Sequence, residues 1–248
     1  MKFEGGYSRE NREEYREKRK ITETLEVVLP ENSEFDKNDK LKEYEKNAIL
    51  NGIIYVSKNY NTQIPLKAII IEKPYNEIVR NVSDLDANEK ENNRFYVNRK
   101  VLGEAQFMYG ITTDKGNDSV IELDNFKRIE KKLLKKYLTV FIKNGKKPGD
   151  INREALKKEI ENIMENMIFI IASHERGHQL NLVKRESNAV NNTRSIEDSH
   201  CKCEKGACLM KQVMNDEDLI DLTLKLSEKS KNDYLCEDCK LELEEEKS

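Results

Sequence analysis

Hydrophobic residues recur at spacings of three and four through the stretch 156–171. This spacing places apolar side chains on one face of an α-helix, so the pattern predicts an amphipathic helix. Asp150 or Asn152, which follow a Pro-Gly pair, can cap its N-terminus. Further steps of three and four reach residues 174, 175 and 178, which we expect on the buried face near the helix end. The predicted core positions are Leu156, Ile160, Ile163, Met164, Met167, Ile170 and Ile171.

Short apolar runs separated by turn residues predict a β-sheet in the first half of the chain. Residues 21–29 form a β-favouring run that ends at a proline, and residues 94–107 open with a strand-like Phe-Tyr-Val. Residues 64–72 form a continuous apolar run, which is typical of a strand buried on both faces. Residues 108–113 and 119–123 predict two strands joined by a turn, because the residues between them have good turn chemistry.

Helical spacing also appears at residues 41–59, 126–143 and 215–230, and Asn215-Asp216 provides an N-cap for the last of these. The acidic segment 241–248 predicts a solvated tail. The order of strands and helices favours an α+β fold, with a mixed β-sheet packed on helices.

All three histidines of the chain lie between Ser173 and Met210. His174 and His178 form an HExxH motif with Glu175. Residues four apart share one face of a helix, so both imidazoles can bind a single Zn²⁺. Glu175 then lies close enough to act as general base on a zinc-bound water, which predicts metal-assisted hydrolysis of an amide bond.

The third ligand of this zinc remains open between two kinds of residue. In the extended metzincin pattern HExxHxxGxxH, Asn181 occupies the glycine position and Lys184 the last histidine position. Asn also tolerates a left-handed turn, but a protonated lysine cannot bind the metal. His200 is the first candidate, delivered by a longer loop, and the carboxylates that could replace it are Glu186, Glu197 and Asp198.

The five cysteines form two clusters, the second of them a CxxC. Two such clusters are typical of a closed tetrahedral Cys₄ zinc site. The first cluster contains three cysteines, so one of Cys201 and Cys203 is spare. The candidate ligands are Cys201, Cys203, Cys208, Cys236 and Cys239.

The order HExxH, His-Cys, Cys-x-Met and CxxC resembles the archaemetzincins, a family of zinc-dependent metallopeptidases. The resemblance implies two zinc ions, one catalytic and one structural, with Glu175 as the base and Met210 in a turn under the catalytic ion. Residues 101–105, 110–113 and 120–123 are similar to the strand region that precedes the active-site helix in that family. The implied ligands are His174, His178 and His200 for the catalytic zinc, and Cys201 or Cys203, Cys208, Cys236 and Cys239 for the structural zinc.

These motifs divide the chain into a polar N-terminal tail over residues 1–20 and a single metallopeptidase domain over residues 21–248. Within the domain, residues 21–182 carry the sheet and the active-site helix, and residues 183–248 form a zinc-bound C-terminal subdomain. The leading hypothesis is a zinc metallopeptidase whose edge strand, at residues 108–113 or 119–123, aligns an extended peptide. Two alternatives are a catalytically degraded zinc-binding adaptor held by the Cys₄ site, and an HExxH enzyme with a carboxylate as third ligand.

Composition and charge limit the classes of partner and the cellular location that we expect for this protein. The chain has 248 residues, 37% of them charged, and a net charge of −3, which is too small to favour nucleic acid or a membrane as a partner. No apolar segment resembles a secretory signal, so we expect a cytoplasmic, reducing location. The expected partner is a peptide or protein substrate, and the sequence does not define an oligomeric state.

Overall fold

The computed structural model describes residues 23–30, 41–60, 66–73, 93–98, 109–112, 118–145, 147–180, 182, 200–201 and 207–245. The N-terminal tail predicted for residues 1–20 and the insert over residues 183–199 lie outside this part of the chain. The fold is a five-stranded mixed β-sheet packed on helices, which confirms the mixed sheet expected from the sequence.

The strands of the sheet are β1 (Glu23–Pro30), β2 (Leu66–Lys73), β3 (Asn93–Asn98), β4 (Gly110–Thr112) and β5 (Asp118–Glu122). Their order in the sheet is β2-β1-β3-β5-β4. Neighbouring strands are parallel except for β4, which runs antiparallel to β5. The predicted pair of strands at residues 108–113 and 119–123 therefore forms an antiparallel pair, and β4 lies at an edge of the sheet.

The prediction that residues 64–72 form a strand buried on both faces is wrong. This continuous apolar run lies in β2, which is the other edge of the sheet. Ile69 and Ile70 are 37% and 43% exposed. An apolar run gives the strand its β propensity but does not reveal its place in the sheet, since strand order depends on long-range pairing.

The α-helices of the described residues are α1 (Glu43–Tyr60), α2 (Leu123–Lys143), α3 (Arg153–Gln179), α4 (Asp216–Ser227) and α5 (Glu237–Glu245). They follow the predicted pattern with small shifts at their ends. Helix α2 begins at Leu123, directly after β5, and its second half leaves Leu134, Val140 and Ile142 exposed. Helix α5 forms where the sequence predicted a solvated acidic tail.

Helix α3 packs against the three helices α1, α2 and α4 and against strands β4 and β5. Asn152 caps its N-terminus, because the Asn152 side chain accepts a hydrogen bond from Ala155 N at 3.1 Å. From Met167 to Gln179 every residue of α3 is buried, which is typical of a helix enclosed on all sides. The rest of the fold therefore fixes the position and direction of the last turns of α3.

Polar contacts anchor the end of α3 to its neighbours. The buried guanidinium of Arg176 donates to Ser57 Oγ on α1 at 3.0 Å and to Gln179 Oε1 at 2.9 Å. Gln179 in turn donates to the carbonyl of Arg94 on β3 at 2.9 Å. Because these buried polar groups are paired, they favour one arrangement of α3 relative to α1 and the sheet.

Residues 207–239 pack into the same hydrophobic cluster as the sheet and α3. This cluster includes Leu209 and Met210, the buried face of α4, and Tyr234 with Leu235. The C-terminal segment therefore shares the core of the fold, and its described cysteines belong to that core or pack against it.

Candidate metal centres

The last turns of α3 bring two histidine rings together. His174 and His178 lie one helical turn apart, both are buried, and their Nε2 atoms are 2.9 Å from each other. The enclosed position of α3 gives these rings little freedom to turn away. The chain thus presents two nitrogen ligands toward one point.

His200 completes this group from a different part of the chain. Its ring stacks on His174 with centroids 5.1 Å apart and meets His178 edge-on at 4.9 Å. One ligand atom from each of the three histidines lies within 4.8 Å of the others, so the group could hold a metal ion. Sequence reasoning expected His200 in this position, and the structure brings it there.

The tautomer of His174 suits metal binding. Its Nδ1 lies 2.7 Å from the carbonyl oxygen of Leu209, and since a carbonyl only accepts, Nδ1 carries the proton. The lone pair of Nε2 is then directed toward the other rings. Burial, and next the neighbouring His200, lower the pKa of His174 to about 4, so this imidazole is neutral at pH 7 and able to bind a cation.

Four cysteines form a second group beside the first. Cys201 and Cys236 have sulfurs 3.4 Å apart, and Cys208 and Cys239 have sulfurs 3.7 Å apart. These distances are too long for a disulfide, whose sulfurs are about 2.05 Å apart. All four sulfurs lie within 4.8 Å of one another, so this group could also hold a metal ion.

The cysteines shift the pKa values of one another's thiols because their sulfurs lie within hydrogen-bonding distance. Hydrogen bonds with Cys201 and Cys239 lower the pKa of Cys208 to about 4, and the backbone N–H of Cys236 also donates to its sulfur at 3.4 Å. Hydrogen bonds with Cys201 and Cys208 raise the pKa of Cys239. One thiolate is therefore favoured among its neighbours, and a cation would be needed for several of the sulfurs to be deprotonated together.

A tight turn at residues 208–211 joins the two groups. Lys211 N donates to the carbonyl of Cys208 at 3.0 Å, which closes the turn. The carbonyl of Leu209 holds His174, while the carbonyl of Met210 accepts from Cys201 N at 2.8 Å. The turn therefore contacts His174 of the histidine group and contains or contacts Cys208 and Cys201 of the cysteine group. Its bond to Cys201 also positions His200, which directly precedes Cys201.

Met210, which the resemblance places in a turn under the catalytic ion, packs against Gly177 of α3. It is fully buried, and a Cβ added to Gly177 would lie only 2.5 Å from its sulfur. Gly177 stands between the two histidines of α3, so the absence of a side chain there lets the turn approach the helix closely.

Glu175 faces the edge strand β4. Burial raises the pKa of its carboxyl to about 8, and the hydrogen bond from Thr112 opposes that rise. Thr112 Oγ1 donates to Glu175 Oε2 at 2.7 Å. A Cβ added to Gly110 would lie 2.6 Å from Glu175 Oε1, so the strand can approach the carboxyl this closely only with glycine at that position.

Several sequence-predicted residues lie outside the described part of the chain. They are Cys203 and the alternative carboxylate ligands Glu186, Glu197 and Asp198, together with Asn181 and Lys184 of the extended pattern. Among the described residues, Cys201 joins Cys208, Cys236 and Cys239.

Sequence reasoning missed the contacts that support the two groups. Nothing in the HExxH motif indicates that Thr112 and Gly110 contact Glu175, or that the Leu209 carbonyl orients His174. The only earlier signal was the weak similarity of residues 110–113 to a strand ahead of the helix. That similarity predicted a strand but not its position against Glu175.

No protein-family model matches this chain, and no curated protein matches it in sequence. Among the described residues, none of the helices is both long enough and apolar enough to cross a membrane. The resemblance to archaemetzincins therefore stays a prediction from the motifs.

Proposed function

We propose that this protein is a zinc-dependent metallopeptidase with Glu175 as its general base. The observation that carries the proposal is the convergence of three histidines next to a buried glutamate. Two histidines and the glutamate lie on one helix, and the third histidine comes from a distant part of the chain. A set of three histidine ligands with an adjacent glutamate is typical of catalytic zinc sites in hydrolases.

The geometry of both groups fits zinc. A tetrahedral zinc with Zn–N bonds of about 2.0–2.1 Å separates its nitrogens by roughly 3.3 Å. His174 and His178 have Nε2 atoms 2.9 Å apart, which a small ring rotation can widen. Zn–S bonds of about 2.3 Å separate sulfurs by roughly 3.8 Å, and the two sulfur pairs lie at 3.4 and 3.7 Å. Thiolates and imidazoles are also the ligands that zinc prefers.

We assign the catalytic ion to the histidines and a structural ion to Cys201, Cys208, Cys236 and Cys239. When bound at the histidines, zinc supplies a Lewis acid that polarises a scissile carbonyl and makes water easier to deprotonate. The structural ion would stabilise the C-terminal segment and, through Cys201, hold His200 in place.

Glu175 would accept the proton of the attacking water and pass it to the leaving amine. Burial brings the pKa of its carboxyl closer to neutral pH, where one group can both take and release a proton. Among the described strands β4 pairs only with β5, so an extended peptide could add to the sheet at its other side, beside Glu175. Of the two strands proposed for this role from the sequence, β5 is internal, so β4 is the one available.

The test is hydrolysis by the full chain loaded with zinc. Wild-type protein and Glu175→Gln are incubated with a mixture of peptides, and new termini are identified by mass spectrometry. The amide of glutamine keeps the size of the side chain but cannot act as a base, so we expect a loss of about 100-fold or more in rate with zinc content unchanged. Full activity in Glu175→Gln would contradict the mechanism.

His200→Ala separates the alternatives that the sequence left open. Loss of one zinc and of activity supports His200 as third ligand, whereas retained activity supports a carboxylate. A wild-type protein that binds zinc only through its cysteines and cleaves no peptide would favour the adaptor.

A further inference from the structure

Strand β4 contacts Glu175 through two residues on the same face. Gly110 and Thr112 are two positions apart, so both are directed to the same side of the strand. The position of a Cβ on Gly110 lies within 3 Å of three side-chain atoms of Glu175, and Thr112 bonds its other carboxyl oxygen. The strand thus provides a position without a side chain against Oε1 and a hydrogen-bond donor at Oε2.

The hydroxyl of Thr112 is itself held in place. Thr112 pairs with Ser119 across the antiparallel ladder, and their hydroxyl oxygens are 2.7 Å apart. Ser119 is fully buried, and the backbone carbonyl of Glu175 lies 3.1 Å from Thr112 Oγ1. A hydroxyl has one proton and two lone pairs, so Thr112 can donate to the carboxylate while it accepts from Ser119.

We infer that Thr112 is a positioning residue for the base, supported by Ser119 and by the absence of a side chain at Gly110. Glutamate has three rotatable side-chain bonds, and Thr112 fixes the carboxylate so that Oε2 is bound and Oε1 lies against the backbone of Gly110. This inference rests on the proposed function, since it assigns Thr112 a role through Glu175. The strand proposed to align an extended peptide therefore also sets the orientation of the base.

The test compares Thr112 variants of the zinc-loaded full chain. Thr112→Val keeps the branched shape and suits a strand but removes the donor. We expect kcat to fall about 10- to 100-fold, because a charge-assisted hydrogen bond to the base is lost. We expect KM and the zinc content to stay the same, because Thr112 belongs to neither histidine nor cysteine group. Thr112→Ser, which restores the hydroxyl, should return kcat close to the wild-type value.

Thr223→Val is the matched control. Thr223 is a buried threonine on α4, and its hydroxyl has no hydrogen-bond partner in the part of the chain that the structure describes. The same substitution there should leave kcat unchanged. If Thr112→Val does not fold, Thr112→Ala and Thr112→Ser give the same comparison, because they differ by one oxygen atom.

The outcomes separate this inference from the proposed function. Wild-type hydrolysis that Glu175→Gln abolishes establishes the function, and a Thr112→Val variant with wild-type kcat then overturns the role of Thr112 alone. A raised KM with unchanged kcat also overturns it, since it would indicate a contact with substrate. If wild-type protein cleaves no peptide, or Glu175→Gln remains active, the proposed function fails first.

Discussion

Replacing Gly177 with alanine tests how closely the turn at residues 208–211 packs on the helix that carries two of the histidines. The added Cβ would lie 2.5 Å from Met210 Sδ, 3.1 Å from Met210 Cε and 3.3 Å from Leu182 Cδ1. An unstrained contact between carbon atoms is about 3.5–4.0 Å. Met210 would therefore have to move by roughly 1 Å, and its fully buried side chain has little room to do so.

Two effects of opposite sign set the size of the change. Overpacking of a buried site costs typically about 1–3 kcal/mol. Alanine in place of glycine in a helix contributes about 1 kcal/mol of stability. The net expectation is a destabilisation of about 0–2 kcal/mol. In a Met210→Ala background the obstacle is gone, so there we expect Gly177→Ala to be stabilising.

Denaturant unfolding of the four proteins of this double-mutant cycle, with zinc present, measures the difference. The predicted coupling between Gly177 and Met210 is about 1–3 kcal/mol, equal to the overlap that the double mutant relieves. Gly149→Ala is the control, because its Cβ would meet no atom within 4 Å. The reasoning is refuted if Gly177→Ala stabilises the wild-type background as much as the Met210→Ala background.

Three further predictions concern stability. Burial would raise the pKa of Asp216, but hydrogen bonds from Arg128, Lys132 and Tyr109 outweigh it and hold this pKa well below its usual range. The ionised carboxylate therefore stabilises the fold above about pH 4, and this stabilisation is lost as the pH falls toward the folded-state pKa. Asp216→Asn should thus cost about 1–2 kcal/mol at pH 7, with the gap to wild type narrowing in acid; a gap that widens in acid would be inconsistent. Asn152→Ala should cost about 1 kcal/mol by denaturant unfolding, because it removes the cap of α3, and an unchanged midpoint would argue against the cap. Removing metal with a chelator should speed amide hydrogen exchange in residues 207–239 more than in β1 and β3, and equal effects on both regions would count against a structural ion at the cysteines.

Local patterns predicted the elements that depend on neighbouring residues. The three-and-four spacing and the Asn152 cap predicted α3, because helix formation depends on contacts within a few positions. The grouping of His174 and His178 follows from the same periodicity. The approach of His200 was a chemical expectation, since a zinc site needs a third ligand, and no local pattern predicts the path of the chain to it.

Long-range order explains what the sequence did not reveal. Within the described sheet β2 pairs only with β1, and no apolar run encodes this position at the edge. The contact of Thr112 with Glu175 joins residues far apart in the chain, so it depends on the register of β4 and its distance from α3. The acidic composition of residues 241–248 suggested a solvated tail, although glutamate and leucine are good helix formers and α5 extends to Glu245.

Counting the zinc ions per chain by native mass spectrometry tests the central claim most directly. We predict two ions for the wild type, one for His178→Ala and one for Cys239→Ser, because each substitution removes a ligand from a different group. A wild-type protein that binds a single ion, with His178→Ala binding just as much, would contradict a metal centre at the histidines.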